Sequence, residues 1–199
     1  MKIGIMGGTF NPIHLGHLVL SEHIREEMGL DKIIFIPTGH PPHKDNSEVI
    51  EGYHRKAMVE LSIGDNPCFD LSDIELKRIQ KSYTIDTIYE LKELYKDDRL
   101  IMIIGGDSLI NIESWKEAEK LLREIEFVVA DRVLREKKDI VEEIKRLNNK
   151  YEADIKYFDT PLIEISSTEI RDRMRSGKSI KYLVKEEVYR YILEKGLYI

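Results

Sequence analysis

Six short apolar, β-branched runs alternate along the chain with longer amphipathic stretches, and this alternation restricts the fold more than any other feature. The runs are Lys2–Met6, Lys32–Ile36, Phe69–Leu71, Leu100–Ile104, Phe127–Ala130 and Asp154–Phe158. Between them, apolar residues recur at helical steps: Leu20, Ile24 and Met28; Ile85, Ile88, Leu91 and Tyr95; Ile140, Ile144 and Leu147. Val184, Val188 and Ile192 close the chain in the same way. Steps of three and four put these residues on one helix face. Strands alternating with helices predict βαβ units, and hence an α/β fold: a Rossmann-like, doubly wound parallel sheet in three layers. At 199 residues a single domain is expected, with a core of useful size.

Charge and composition exclude several classes. The net charge is −6, so neither nucleic acid nor an anionic membrane is expected as a partner. An anionic ligand needs a local basic site. Cys68 is the single cysteine, which removes disulfide frameworks and cysteine-based zinc centres. The N-terminus lacks a signal-peptide core, and no apolar run reaches the roughly 20 residues of a membrane span. A cytoplasmic protein is the simplest expectation. A homo-oligomer stays compatible with the sequence, because helix faces do not tell whether a second copy covers them.

Loops rich in glycine, proline or serine follow several predicted strands. In an open parallel sheet, ligands bind at that end. "GGTFNPIHLGH" (Gly7–His17) follows the first, "PTGHPPHKDNSE" (Pro37–Glu48) the second, "IGGDS" (Ile104–Ser108) the fourth and "ISSTEIR" (Ile165–Arg171) the sixth. Gly7 and Gly8 lack Cβ atoms, so the chain is expected to turn sharply there and approach a ligand closely. A helix start after such a turn favours phosphate, with His14 and His17 on one side of it. Neither a G-x-x-x-x-G-K-[ST] loop nor a G-x-G-x-x-G fingerprint is present. Ser166 or Ser167 can cap the helix of "ISSTEIR", with Glu169 near the capping-box position. Asp107 can cap a short helix beginning in "SLINI".

These motifs are similar to those of the HxGH nucleotidylyltransferase superfamily. "GGTFNPIHLGH" and "ISSTEIR" carry that resemblance. "PTGHPPHK", "SYTIDT" (Ser82–Thr87), "GGDSL" (Gly105–Leu109), Trp115 and the ending "GKSIKYLVKEEVYRYILEKGLY" resemble the branch of bacterial nicotinate-nucleotide adenylyltransferases. The resemblance covers nearly the whole chain. It implies one nucleotidylyltransferase domain over 1–199, with 166–199 as a helical C-terminal part. The implied reaction moves AMP from ATP, with Mg2+, to nicotinate mononucleotide, giving deamido-NAD and pyrophosphate.

Residue by residue, His14, His17 and Arg171 are then expected to be catalytic. Gly7, Gly8, Thr9, Phe10, Gly105, Asp107, Ser167 and Thr168 are expected to bind ATP. His43, Lys44, Thr84, Trp115 and Arg132 are expected to bind the mononucleotide, and no dedicated metal ligands are expected. The chemistry of the residues agrees on reaction type. Phosphoryl-type transfer needs positioning and charge neutralisation rather than a covalent nucleophile, and no activated nucleophile is recognisable here.

The resemblance has departures. Asn11 stands where relatives often carry aspartate, Lys116 where they usually carry tyrosine, and "RIQKSYT" lacks a glycine-proline pair common before Ser-Tyr-Thr. Two alternatives stay open: a related transferase acting on nicotinamide mononucleotide or phosphopantetheine, and a nucleotide-binding regulatory module without chemistry.

Overall fold

The computed structural model describes residues 1–40, 48–131, 137–161 and 163–199. Among these, six strands form one sheet: β1 (Lys2–Gly8), β2 (Lys32–Pro37), β3 (Phe69–Leu71), β4 (Arg99–Gly105), β5 (Glu126–Asp131) and β6 (Ile155–Asp159). Their order is β3-β2-β1-β4-β5-β6, and every pairing is parallel. The order reverses at β1, between β2 and β4, and this switch point is where open α/β sheets bind ligands.

The helices are α1 (Leu15–Met28), α2 (Gly52–Ile63), α3 (Thr84–Leu94), α4 (Gly106–Ile110), α5 (Ala118–Glu124), α6 (Lys137–Tyr151), α7 (Ser167–Arg175) and α8 (Glu186–Lys195). Alternate strand residues feed opposite layers, because successive strand side chains point to opposite faces. Ile33, Phe35, Ile101, Ile103 and Val128 join Ile24, Met58, Ile170 and Val188 in one core. Ile34, Ile36, Met102, Phe127 and Val129 join Ile85, Leu91, Leu121 and Leu147 in the other. Both sheet faces are therefore covered, giving the three-layer, single-domain fold expected.

The differences from the sequence reading are local. Pro37 closes β2, paired in register with Gly8, and does not open the loop. β6 runs one residue later than read, from Ile155. Val184 lies ahead of α8, buried all the same. Helix α2 has no clean apolar stripe because Arg55 and Ser62 are among its buried residues. The short α5 offers too few turns for a periodicity to stand out.

Candidate active site

The opening motif does something other than turn at its glycines. Gly7 and Gly8 are the last residues of β1, and neither has a positive φ. What requires Gly8 is a close approach: an added Cβ would lie 3.0 Å from the Phe10 ring. The left-handed residue is Phe10 itself, at φ 49°. Its side chain is buried, with the ring 5.2 Å from that of His17 and 6.0 Å from that of Phe35. Phe10 is thus a core side chain, and only its backbone remains a candidate for ligand contact.

His14 caps α1 in extended conformation, and its ring centroid lies 3.7 Å from that of His17. The His14 backbone N–H donates to His17 Nδ1 at 3.3 Å. A neutral His17 accepting there carries its proton on Nε2. His14 is buried, while His17 is half-buried. Gly16, between them, is required by space: a Cβ would meet His14 Nδ1 at 3.0 Å.

The rest of the loop is anchored from distant segments. Asn11 is buried, and its Nδ2 donates to the Glu48 carbonyl at 2.9 Å. Its Oδ1 accepts from the Tyr198 hydroxyl at 2.9 Å. Burial pushes the Tyr198 pKa up, which keeps that hydroxyl a donor. An aspartate at position 11 could not make the donation to Glu48, so the carboxamide suits this chain. Arg55, also buried, donates to the carbonyls of Thr9 (2.8 Å) and Ile50 (3.1 Å).

Helix α7 closes this side. Ser166, not Ser167, is its cap and accepts from the Glu169 N–H at 3.1 Å. That leaves the Ser167 hydroxyl to donate to the Pro12 carbonyl at 2.9 Å. Arg171 reaches the Asn11 carbonyl at 3.0 Å and Thr168 Oγ1 at 3.5 Å. Glu48 accepts from both Arg171 (3.4 Å) and Arg175 (3.3 Å). "ISSTEIR" and the opening motif, some 150 residues apart in sequence, therefore meet directly.

On the other side of the loop a cavity of about 310 Å³ lies over the switch point. Gly7, Gly8, Thr9, Thr84 and Trp115 line it, so the structure joins five of the residues singled out in the sequence. Ile5, Ile36, Ile88 and Met102 supply apolar walls. Thr84 begins α3, and half-buried Trp115 ends a 3-10 turn over Ile112–Ser114. His14, His17, Gly105, Asp107, Ser167, Thr168 and Arg171 are not in this lining. Gly105 and Asp107 stand at the carboxyl end of β4, beside β1. Asp107 is in the first turn of α4 and is not its cap, because the helix begins earlier, after Gly105. His43, Lys44 and Arg132 lie outside the described residues.

Two polar residues of the site carry no signal in the sequence. Arg55 does not stand out in "YHRKAM". Glu75 lines the cavity, buried, and accepts from the Thr87 hydroxyl at 2.8 Å. Burial raises its pKa above the ordinary carboxylate value, with Thr87 and Arg78 opposing. Gly39 passes so near that a Cβ there would be 2.1 Å from the Glu75 carbonyl. The Glu75 turn thus packs the end of β2 against the start of α3.

A doubly wound parallel sheet with a histidine pair beside its switch point and an arginine-bearing helix against the first loop places the chain among α/β proteins with a ligand site at that point. The cytidylyltransferase-like family model matches residues 5–173. A protein of Lachnoclostridium phytofermentans named "Probable nicotinate-nucleotide adenylyltransferase" is 43% identical, over 100% of this chain and 99% of the relative. One of the same name from Thermoanaerobacter sp. is 45% identical over 100% of this chain and 94% of the relative. The solved structure of Plasmodium falciparum nicotinic acid mononucleotide adenylyltransferase complexed with NaAD shares the fold. Its TM-score is 0.81 at 23% identity, covering 99% of this chain and 97% of that one. The chain belongs to the nicotinate-nucleotide adenylyltransferase family, within the cytidylyltransferase-like proteins.

Proposed function

We propose that this chain, as one catalytic domain over 1–199, transfers AMP from ATP to nicotinate mononucleotide, releasing pyrophosphate and forming deamido-NAD. The observation that carries the reading is a shared wall: Gly7, Gly8 and Thr9 of the opening loop line the same cavity as Thr84 and Trp115. A phosphate on the loop and a planar ring against Trp115 then belong to one continuous site. Family membership supports the same reaction.

The mononucleotide phosphate, ionised at neutral pH, attacks the α-phosphorus of ATP in line. One P–O bond forms, and the bond to the β-phosphate breaks with its electrons leaving on pyrophosphate. No covalent enzyme intermediate is needed. His17, its proton on Nε2, and His14 donate to the oxygens on which charge grows. The amides of Gly8–Phe10 and the Thr9 hydroxyl hold the α-phosphate, and Gly7 lets it approach. Ser167, Thr168 and Arg171 take the outer phosphates, Arg171 exchanging Glu48 for them. Gly105 and Asp107 hold the nucleoside end. Thr84 faces the ring carboxylate, and Trp115 stacks on the ring. His43, Lys44 and Arg132 are assigned to the mononucleotide on family grounds alone.

We assign Mg2+ as the accompanying metal. Among the described residues no group of three His, Cys, Asp or Glu could hold a metal ion. A nucleotide-borne Mg2+ does not need one, since phosphate oxygens and water complete its shell. When bound, it neutralises phosphate charge. No helix among the described residues is long and apolar enough to cross a membrane, and a cytoplasmic location fits an enzyme drawing on ATP.

The test is pyrophosphate release from ATP and Mg2+ with nicotinate mononucleotide, run beside nicotinamide mononucleotide and phosphopantetheine. Faster turnover of the nicotinate substrate is expected. A preference for either alternative would overturn the acceptor assignment, and inactivity with all three would point to a binding module.

A further inference from the structure

We propose that Lys116 is a specificity-determining residue of this chain. Locked at the cavity rim by Asp86 and Tyr83, its ammonium favours a mononucleotide whose pyridine carries a carboxylate over one carrying a carboxamide. The inference rests on the functional reading above and deepens it.

The charges around the cavity carry the argument. Its walls mix apolar side chains with hydroxyls, and Lys116 is the one cation among the described residues that line it. The carboxylate lining it is Glu75, already engaged by the hydroxyl of Thr87 on α3 at 2.8 Å. The positive charge that a ligand meets in this lining therefore comes from Lys116, beside the N–H groups at the start of α3.

Lys116 is also held in place. Its Nζ lies 3.0 Å from both carboxylate oxygens of Asp86 and 4.8 Å from the centre of the Tyr83 ring. Asp86 sits in the first turn of α3 and is absent from the cavity lining, so the cation is the nearer charge to a ligand. An ammonium has three donors, and two bonds to Asp86 leave the third for a substituent on the ring. Tyr83 and Thr84 belong to the cavity lining as well. The lysine thus spans from the Trp115 turn to the helix start expected to meet the ring carboxylate. Asp86 acts through Lys116, as a positioning residue. The pair is partly exposed, at 40% and 39%, so solvent screens it and the effect is moderate.

The test uses the full chain with nicotinate mononucleotide and nicotinamide mononucleotide as probes. Binding is read by quenching of Trp115, the sole tryptophan, and turnover by pyrophosphate release. In Lys116→Gln the acid:amide ratio of both affinity and kcat/KM should fall by roughly three- to tenfold, the scale of a screened charge contact. The loss should come from weaker acid binding, with amide binding nearly constant. Lys116→Arg should keep most of the ratio, and Asp86→Asn should lower it part-way. Raising salt should erode acid binding in the parent more than in Lys116→Gln. An unchanged ratio in Lys116→Gln, or equal losses for both probes, would overturn the proposal. If the parent chain neither binds nor converts either mononucleotide, the functional reading fails and takes this proposal with it.

Discussion

From Gly7 to His17, eleven consecutive residues form the end of the site assigned to phosphate. Facing them, the end assigned to the ring is drawn from β1, β2, the Glu75 turn, the start of α3, β4 and the Trp115 turn. The first end works with a strand terminus, a helix start and two tilted imidazoles, contiguous in the sequence and anchored from distant segments through Asn11, Arg55 and α7. The second exists only when distant segments pack. Errors should therefore propagate differently: at the first end they alter rate, at the second they alter ring affinity and selectivity.

The largest test of that contrast is His17→Ala. Loss of a preorganised donor should lower kcat by about 10²–10³, with an unchanged circular dichroism spectrum. A KM effect without a kcat effect would move His17 out of the chemistry. Next is Gly16→Ala, whose new Cβ would press on His14 Nδ1 from 3.0 Å. The helix should tolerate alanine, while the displaced imidazole should cost about ten- to a hundredfold in kcat. Normal turnover would show that the His14 ring position is unimportant. At the ring end, Trp115→Ala should raise the mononucleotide KM about tenfold, the scale of one lost stacking contact. The ATP KM should stay put, and an unchanged mononucleotide KM would return Trp115 to the core.

The smallest effect concerns two acids in one turn. Lys56 and Lys77 hold Asp73 down to about 2, so its stabilisation is present above the ordinary aspartate value and lost as pH falls toward 2. Glu75, raised by burial, has the opposite sign: folding favours its protonated form, so stability falls as pH rises from about 4.5 through the raised value. Glu75→Gln should flatten that loss in denaturant titrations between pH 4 and 8, and Asp73→Asn should flatten only the acid limb. An unchanged profile in Glu75→Gln would mean that Glu75 is freely ionised in the fold.

How far the sequence can be read follows from the same contrast. The opening motif, Gly7 to His17, is contiguous, so its residues are identifiable from the order of amino acids alone. Even there, Gly7 and Gly8 suggest a turn that the chain does not make at them. The crowding that demands Gly8 comes from a ring two residues on, whose left-handed backbone no propensity favours. Arg55 and Glu75 leave no trace, since a buried charge on a helix or turn looks like a surface charge until its partners are in place.

The alternation of apolar β-branched runs with helical repeats determined the six strands, their parallel arrangement and helical cover on both faces, because a strand buried on both sides needs a continuous apolar run and a helix repeats its apolar face at about 3.6 residues. Only the tertiary structure decided that α7 would dock on the Asn11 and Pro12 carbonyls. It alone decided that Glu75 would sit buried in the cavity wall, and that Lys116 would be pinned over Tyr83 by Asp86. Those contacts join residues far apart in the chain, and their energies depend on burial, distance and screening. None of these is written in local sequence.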